Sequence, residues 1–172
     1  GFTVIVDLVR NHRWRKLKLH SKLMLLMTPA LLLLGTLMFW LLEHNNPATL
    51  GNAGPGGQLL AAFFQSATAR TAGFNTVDIG QMVPASLLFM MMLMFIGAGA
   101  TSTGGGIKVT TFAVVLLATR AFLTKRPHVT AFGRTLSPQI VTRSLAIIIV
   151  SVMVLMLAMF LLMLTESQPF DK

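Results

Sequence analysis

Residues 65–78, QSATARTAGFNTVD, place an arginine, a glycine, an asparagine and several small or hydroxyl residues inside an otherwise oily chain. Gly73 has no side chain, so its backbone can adopt conformations closed to other residues and can approach an ion closely. Thr71 and Ala72 are small enough to leave their carbonyls facing a pore, and rings of such carbonyls replace a cation's hydration shell. The residues just before, QLLAAFFQSATAR (58–70), set Leu59, Leu60, Phe63 and Phe64 at helical spacing over a length too short to cross a bilayer. This predicts a short helix that enters the membrane and returns. Its C-terminal end, the negative pole of the helix dipole, would point at TAGFN, where a cation is favoured.

A second segment, GAGATSTGGGIK (97–108), interrupts the apolar stretch between Gln81 and Thr124. Irregular backbone at membrane depth is tolerated only where protein buries it or where it lines a water-filled cavity, because lipid cannot satisfy free N–H and C=O groups. The break therefore predicts a pathway or a packed interface. For Gly97, Gly99, Gly104, Gly105 and Gly106 taken alone, close helix packing is as good a reading as a moving part.

Other chemistries find no support. The chain has no cysteine, so it offers neither a disulfide framework nor a thiolate metal site. His12, His20, His44 and His128 are scattered, with no carboxylate or nucleophile at helical spacing from a second histidine. The glycine run lacks the spacing of either nucleotide-binding glycine motif, and Lys108 follows Gly106 and Ile107 without the required spacing. Met90, Met91, Met92 and Met94 read as packing or lipid-facing residues, since thioethers prefer soft metals and no histidine or cysteine stands near. An enzyme is not expected, nor a cofactor.

The elements that must position these segments follow from composition. Of 172 residues, 54% are hydrophobic and 11% charged, which marks a membrane protein. The sequence begins GFTVIVDLVRNH, without an initiator methionine or a signal-peptide pattern, and reads as an internal piece of a longer protein. The net charge of +9 lies mostly in two clusters. Arg10, Arg13, Arg15, Lys16, Lys18 and Lys22 precede the apolar run 23–42. Arg120, Lys125, Arg126, Arg134 and Arg143 precede the run 144–165. Both runs are long enough to span. The positive-inside rule puts both clusters in the cytoplasm and Glu43, Asp78, Glu166 and Asp171 outside, so nucleic acid is not the expected partner. The broken stretch 81–124 then makes one net crossing. As straight helix at about 1.5 Å per residue it would measure roughly 65 Å, twice the hydrocarbon core, so part of it must be irregular or project from the membrane.

TAGFN (71–75) resembles the TVGYG filter of potassium channels, and LMFIGAGATSTGGGIKVTTF (93–112) follows it at a fixed distance. With KLKLHSKLMLLMTPALLL upstream, the chain resembles the membrane subunit of the Trk/Ktr/HKT potassium-transporter superfamily, most of all the Ktr type, over essentially its whole length. The resemblance implies an all-α membrane protein of helix–pore loop–helix repeats around one pore. This chain would be the third repeat with the first helix of the fourth. Its expected parts are the end of a preceding helix and a basic linker (1–22), the repeat (23–124) with pore helix 58–70, filter 71–75 and break 97–106, a second basic linker (125–143), a further transmembrane helix (144–165) and an external tail (166–172).

The resemblance further implies that carbonyls of Thr71, Ala72 and Gly73 hold potassium, the transported substrate, with Phe74 and Asn75 bracing them. The break becomes an intramembrane gate, Gly97, Gly99, Gly104, Gly105 and Gly106 framing a polar part of Thr101, Ser102 and Thr103. Arg70 is expected to brace the filter from outside the ion path. For Lys108 two readings stand, an anchor of the loop or a residue already at the cytoplasmic interface. The implied setting is a bacterial inner membrane, a homodimer with one pore per protomer, and a cytoplasmic nucleotide-sensing ring of RCK type near the basic segments 10–22 and 125–143. The alternatives are a non-transporting structural subunit, and a sodium-selective or sodium-coupled transporter of the same superfamily.

Overall fold

The leucine-rich run after the first basic cluster folds as one long helix even though Pro29 lies inside it. In the computed structural model, which describes residues 2–10, 16–70, 73–97, 106–125 and 128–165, a short helix α1 (Phe2–Arg10) precedes α2 (Leu19–Glu43). The Lys18 N–H at the start of α2 donates to Asp7 Oδ2 at 2.9 Å, which fixes the two helices across the basic linker. At 25 residues α2 is about 37 Å long. Only one stripe of its C-terminal half is buried, Leu31, Gly35, Phe39 and Glu43. These residues are four apart and so share one face. Leu33, Leu34, Leu37 and Leu41 face outward.

Against that stripe lies α3 (Pro55–Thr68), of 14 residues and about 21 Å. It begins at Pro55 rather than Gln58, because proline fits the first turn of a helix, where its missing N–H has no partner to lose. It runs antiparallel to α2. Trp40 Nε1 donates to Gln58 Oε1 at 3.3 Å near one end, and Ser66 Oγ donates to the Leu32 carbonyl at 3.0 Å near the other.

The broken stretch becomes two helices, α4 (Pro84–Phe95) and α5 (Val109–Leu123), of 12 and 15 residues. At about 18 and 22 Å, neither spans a bilayer alone. A two-stranded hairpin, β1 (Thr130–Ala131) with β2 (Arg134–Thr135), and α6 (Pro138–Thr165) complete the order. The hairpin turns at Phe132 and Gly133, both at positive φ, and it is a minor exception to an otherwise all-helical membrane fold. Lys22 is buried with its Nζ 5.8 Å from the centre of the Phe132 ring, so the hairpin covers a charge at the base of α2. α6 starts at Pro138, ahead of the apolar run at 144, again with proline in the first turn. It continues for 28 residues, about 42 Å.

Two apolar clusters hold these elements. One surrounds α3 and includes Phe39, Leu50, Ala62, Val77, Met90 and Leu93, with Phe39 and Phe89 edge to face at 5.6 Å. The other lies at the opposite end of α2, where Leu23 meets Ala113 and Val114 of α5 and Leu136 after the hairpin. α6 packs on α5, and Ser144 is its one buried residue within the chain. The rest of α6 is left for lipid or for other parts of the protein.

Candidate functional site

The site is built on the end of α3. Four residues of that helix, Ala62, Gln65, Ser66 and Thr68, are buried. Ser66 sits where α2 has Gly35, and a Cβ added to Gly35 would collide with Ser66 Oγ and lie 2.9 Å from Ser66 Cβ and 3.1 Å from Leu93 Cδ1. Only glycine lets the two helices approach this closely. Beyond α3 the chain turns at Ala69 and Arg70, and the Thr68 hydroxyl closes the loop that follows. Thr68 Oγ1 donates to the Phe74 carbonyl at 2.6 Å and accepts the Phe74 N–H at 3.0 Å. One hydroxyl thus satisfies both main-chain groups of a residue that has no regular partner.

Of the expected filter, Gly73, Phe74 and Asn75 are described, whereas Thr71 and Ala72 lie outside the described residues. Gly73 has φ +74 and a Cβ there would meet nothing within 4 Å, so a substitution would strain the backbone rather than clash. The Phe74 side chain is 70% exposed; its contact with Thr68 is made through its main chain. Asn75 is exposed. Arg70 is half-buried beside the loop.

Of the expected gate, Gly97 and Gly106 are described; Gly99, Thr101, Ser102, Thr103, Gly104 and Gly105 lie outside the described residues. The two ends of the break meet. Ile107 N–H donates to the Phe95 carbonyl at 2.9 Å. Gly106 has φ +78, and a Cβ on it would lie 2.8 Å from the carbonyl oxygens of Met94 and Phe95 and 3.0 Å from the Gly97 nitrogen. The chain therefore leaves α4 and resumes toward α5 at one place, a neck formed by residues 94–97 and 106–107. Lys108 follows it at the N-terminus of α5, exposed, its carbonyl accepting from Thr111 and Phe112.

Reasoning from the sequence passed over Gly35, Ser66, Thr68 and Glu43. A lone glycine in a leucine-rich helix and two hydroxyls near the end of a short one were visible, but nothing in the sequence showed which partners they meet. Glu43 was read only as an external charge, and the structure buries it to 1% exposure.

The sequence pattern of the TrkH cation transport protein family matches residues 7–171. The chain is 60% identical over its full length to Ktr system potassium uptake protein B of Vibrio alginolyticus and 41% identical over 99% of its length to the protein of that name in Bacillus subtilis. It is 38% identical over 98% of its length to a potassium/sodium uptake protein of Enterococcus hirae. It spans 38% of the length of the first two relatives. The fold is similar to the crystal structure of the potassium transporter TrkH from Vibrio parahaemolyticus, with TM-score 0.63, 21% identity, and coverage of 84% of this chain and 31% of that one. The family pattern runs almost from end to end, and relatives 60% and 41% identical cover essentially the whole chain, so this chain belongs to the TrkH family of cation transport proteins.

Proposed function

We propose that the protein of which this chain is part carries potassium across the bacterial plasma membrane through a filter of main-chain carbonyls that includes Thr71, Ala72 and Gly73, gated below by the loop between Gly97 and Gly106. The observation that carries the filter reading is the Thr68 clamp. A hydroxyl in the last turn of a helix too short to span holds the main chain just after a glycine at φ +74, which is the support a carbonyl filter requires. The neck supports the gate reading, since a loop tied at both ends can change shape without moving the helices it joins. The full protein works as a homodimer with a cytoplasmic nucleotide-binding subunit of RCK type, and the basic segments 10–22 and 125–143 are its contact regions. The names of the two relatives, each called protein B of a Ktr system, support only that such a protein works within a system of more than one component.

Gly73→Ser in the full-length protein lowers discrimination of potassium over sodium, because the left-handed conformation costs a non-glycine residue about 1–2 kcal/mol and the loop relaxes away from it. Relative uptake of the two ions, measured at equal amounts of membrane protein, checks this. An unchanged ratio would remove Gly73 from the filter, and near-equal uptake by the wild type would favour a potassium/sodium carrier like the Enterococcus hirae relative. Thr68→Val, equal in size but without the hydroxyl, leaves both main-chain groups of Phe74 without that partner. It shifts the ion ratio in the same direction while the protein still assembles.

A further inference from the structure

A loop that coordinates an ion by its main chain must be held at both ends, and here different elements hold them. On the inner side Thr68 clamps Phe74. On the outer side the chain passes Asp78, whose Oδ1 accepts the Gly80 N–H at 3.0 Å, and the helical turn Ile79–Gln81 before it enters α4. The grip on this side comes from the end of α2. Glu43 Oε1 accepts the main-chain N–H of Val83 at 2.8 Å, while Oε2 accepts from Asn46 Nδ2 at 2.7 Å and from Thr49 Oγ1 at 2.6 Å. Asn46 Nδ2 also donates to the Gln81 carbonyl at 2.9 Å. One buried carboxylate thus joins the end of α2, the loop leading to α3 and the segment leaving the filter.

The chemistry of that junction needs an acid. An ionised carboxylate only accepts, and both of its oxygens face donors here; an amide would turn an NH2 group toward one of them. Burying such a group is costly unless donors satisfy it, so its 1% exposure marks a fixed point rather than a loose contact. We propose that Glu43 is a positioning residue for ion selection: through Val83, and through Asn46 to Gln81, it sets the outer end of residues 73–82 and hence the spacing of the filter carbonyls. This rests on the reading of 71–75 as the filter.

Val83→Pro is the clean test in the full-length protein. Val83 has φ −60, the value proline imposes, and Met82 before it lies at φ −74, ψ 149, which a following proline tolerates. The Val83 side chain is 36% exposed and its carbonyl remains free to accept Ser86 and Leu87, so the change removes essentially one N–H. The potassium-over-sodium uptake ratio is expected to fall roughly tenfold, the effect of losing a hydrogen bond to a buried charge. Val83→Ala, which keeps the N–H, leaves the ratio as in the wild type. Glu43→Gln lowers the ratio too, and the double variant Glu43→Gln with Val83→Pro is no worse than the more affected single one, because the amide then faces no opposing N–H. All ratios are taken at equal membrane protein, where a change in assembly alone would scale both ions together.

A wild-type ratio in Val83→Pro would overturn the proposal. Should Val83→Pro or Glu43→Gln not reach the membrane, Thr49→Val, which removes one donor to Oε2, decides by the same ratio. Gly73→Ser separates the layers of the argument. If it too leaves the ratio unchanged, the filter reading fails and this inference with it; if it changes the ratio while Val83→Pro does not, only the role of Glu43 is lost.

Discussion

Deleting residues 101–105 from the full-length protein is expected to raise basal potassium flux by roughly tenfold, the size of a coupling of about 1.4 kcal/mol, and to weaken its dependence on the cytoplasmic regulator. A gate needs two arrangements of similar free energy, and glycines with hydroxyl residues supply them through unusual backbone angles and substitute hydrogen bonds. Shortening the loop unbalances the two. The neck explains why the protein should survive the change. Ile107 N–H stays bonded to the Phe95 carbonyl at 2.9 Å, and the Cβ position of Gly106 lies 3.0 Å from the Gly97 nitrogen, so residues 98–100 have only a short gap to close. Selectivity, which the proposed filter at 71–73 governs, stays nearly intact. Flux normalised to protein in the membrane, with and without the regulator, provides the check. Unchanged flux and regulation in a protein that still assembles would make the loop packing material, and a selectivity change as large as the flux change would mean that filter and gate are one element.

Gly35→Ala is expected to cut potassium uptake by tenfold or more without preventing membrane insertion. The added methyl would overlap Ser66 Oγ and lie 2.9 Å from Ser66 Cβ. Rotating the hydroxyl away relieves the first contact at the cost of its 3.0 Å bond to the Leu32 carbonyl, but Cβ moves only with the backbone of α3. The helix must therefore shift by several tenths of an ångström, at a cost of about 1–3 kcal/mol typical of overpacking. Thr68 and the loop it clamps shift with it. Exchanging the sizes, Gly35→Ala with Ser66→Gly, removes the collision and should restore a substantial part of the uptake, though not the lost hydrogen bond. Wild-type uptake in Gly35→Ala would show that this contact does not set the position of α3. No recovery in the double variant would mean that Ser66 matters through its hydroxyl rather than through its size.

Both expectations concern elements that the sequence revealed unequally. The spanning lengths of α2 and α6, the short helix before TAGFN and the glycine break were all legible, because each depends on local quantities: apolar length, helical spacing, and glycine or proline as punctuation. Helix starts were read late, at 58 and 144 where the structure has Pro55 and Pro138, because apolar runs were counted while first turns are often polar or proline-led. The hairpin at 130–135 went unread inside a segment taken for a basic linker, since two residues per strand leave no alternation to detect.

By itself the sequence determined the class, the number of long apolar segments, the place of the polar interruptions and, through two motifs in fixed order, the family. The tertiary structure decided what holds those interruptions in place. That Gly35 faces Ser66 and that Glu43 accepts the Val83 N–H are long-range pairings set by how α2, α3 and α4 pack, while Thr68 with Phe74, Gly106 with Met94 and Phe95, and Glu43 with Asn46 and Thr49 are shorter-range contacts that close the loops between them. A single sequence records which residues can bend, accept or fit closely. For Gly35 and Ser66, and for Glu43 and Val83, the partner depends on the crossing of elements separated by tens of residues, and that is fixed only when their apolar faces are buried together.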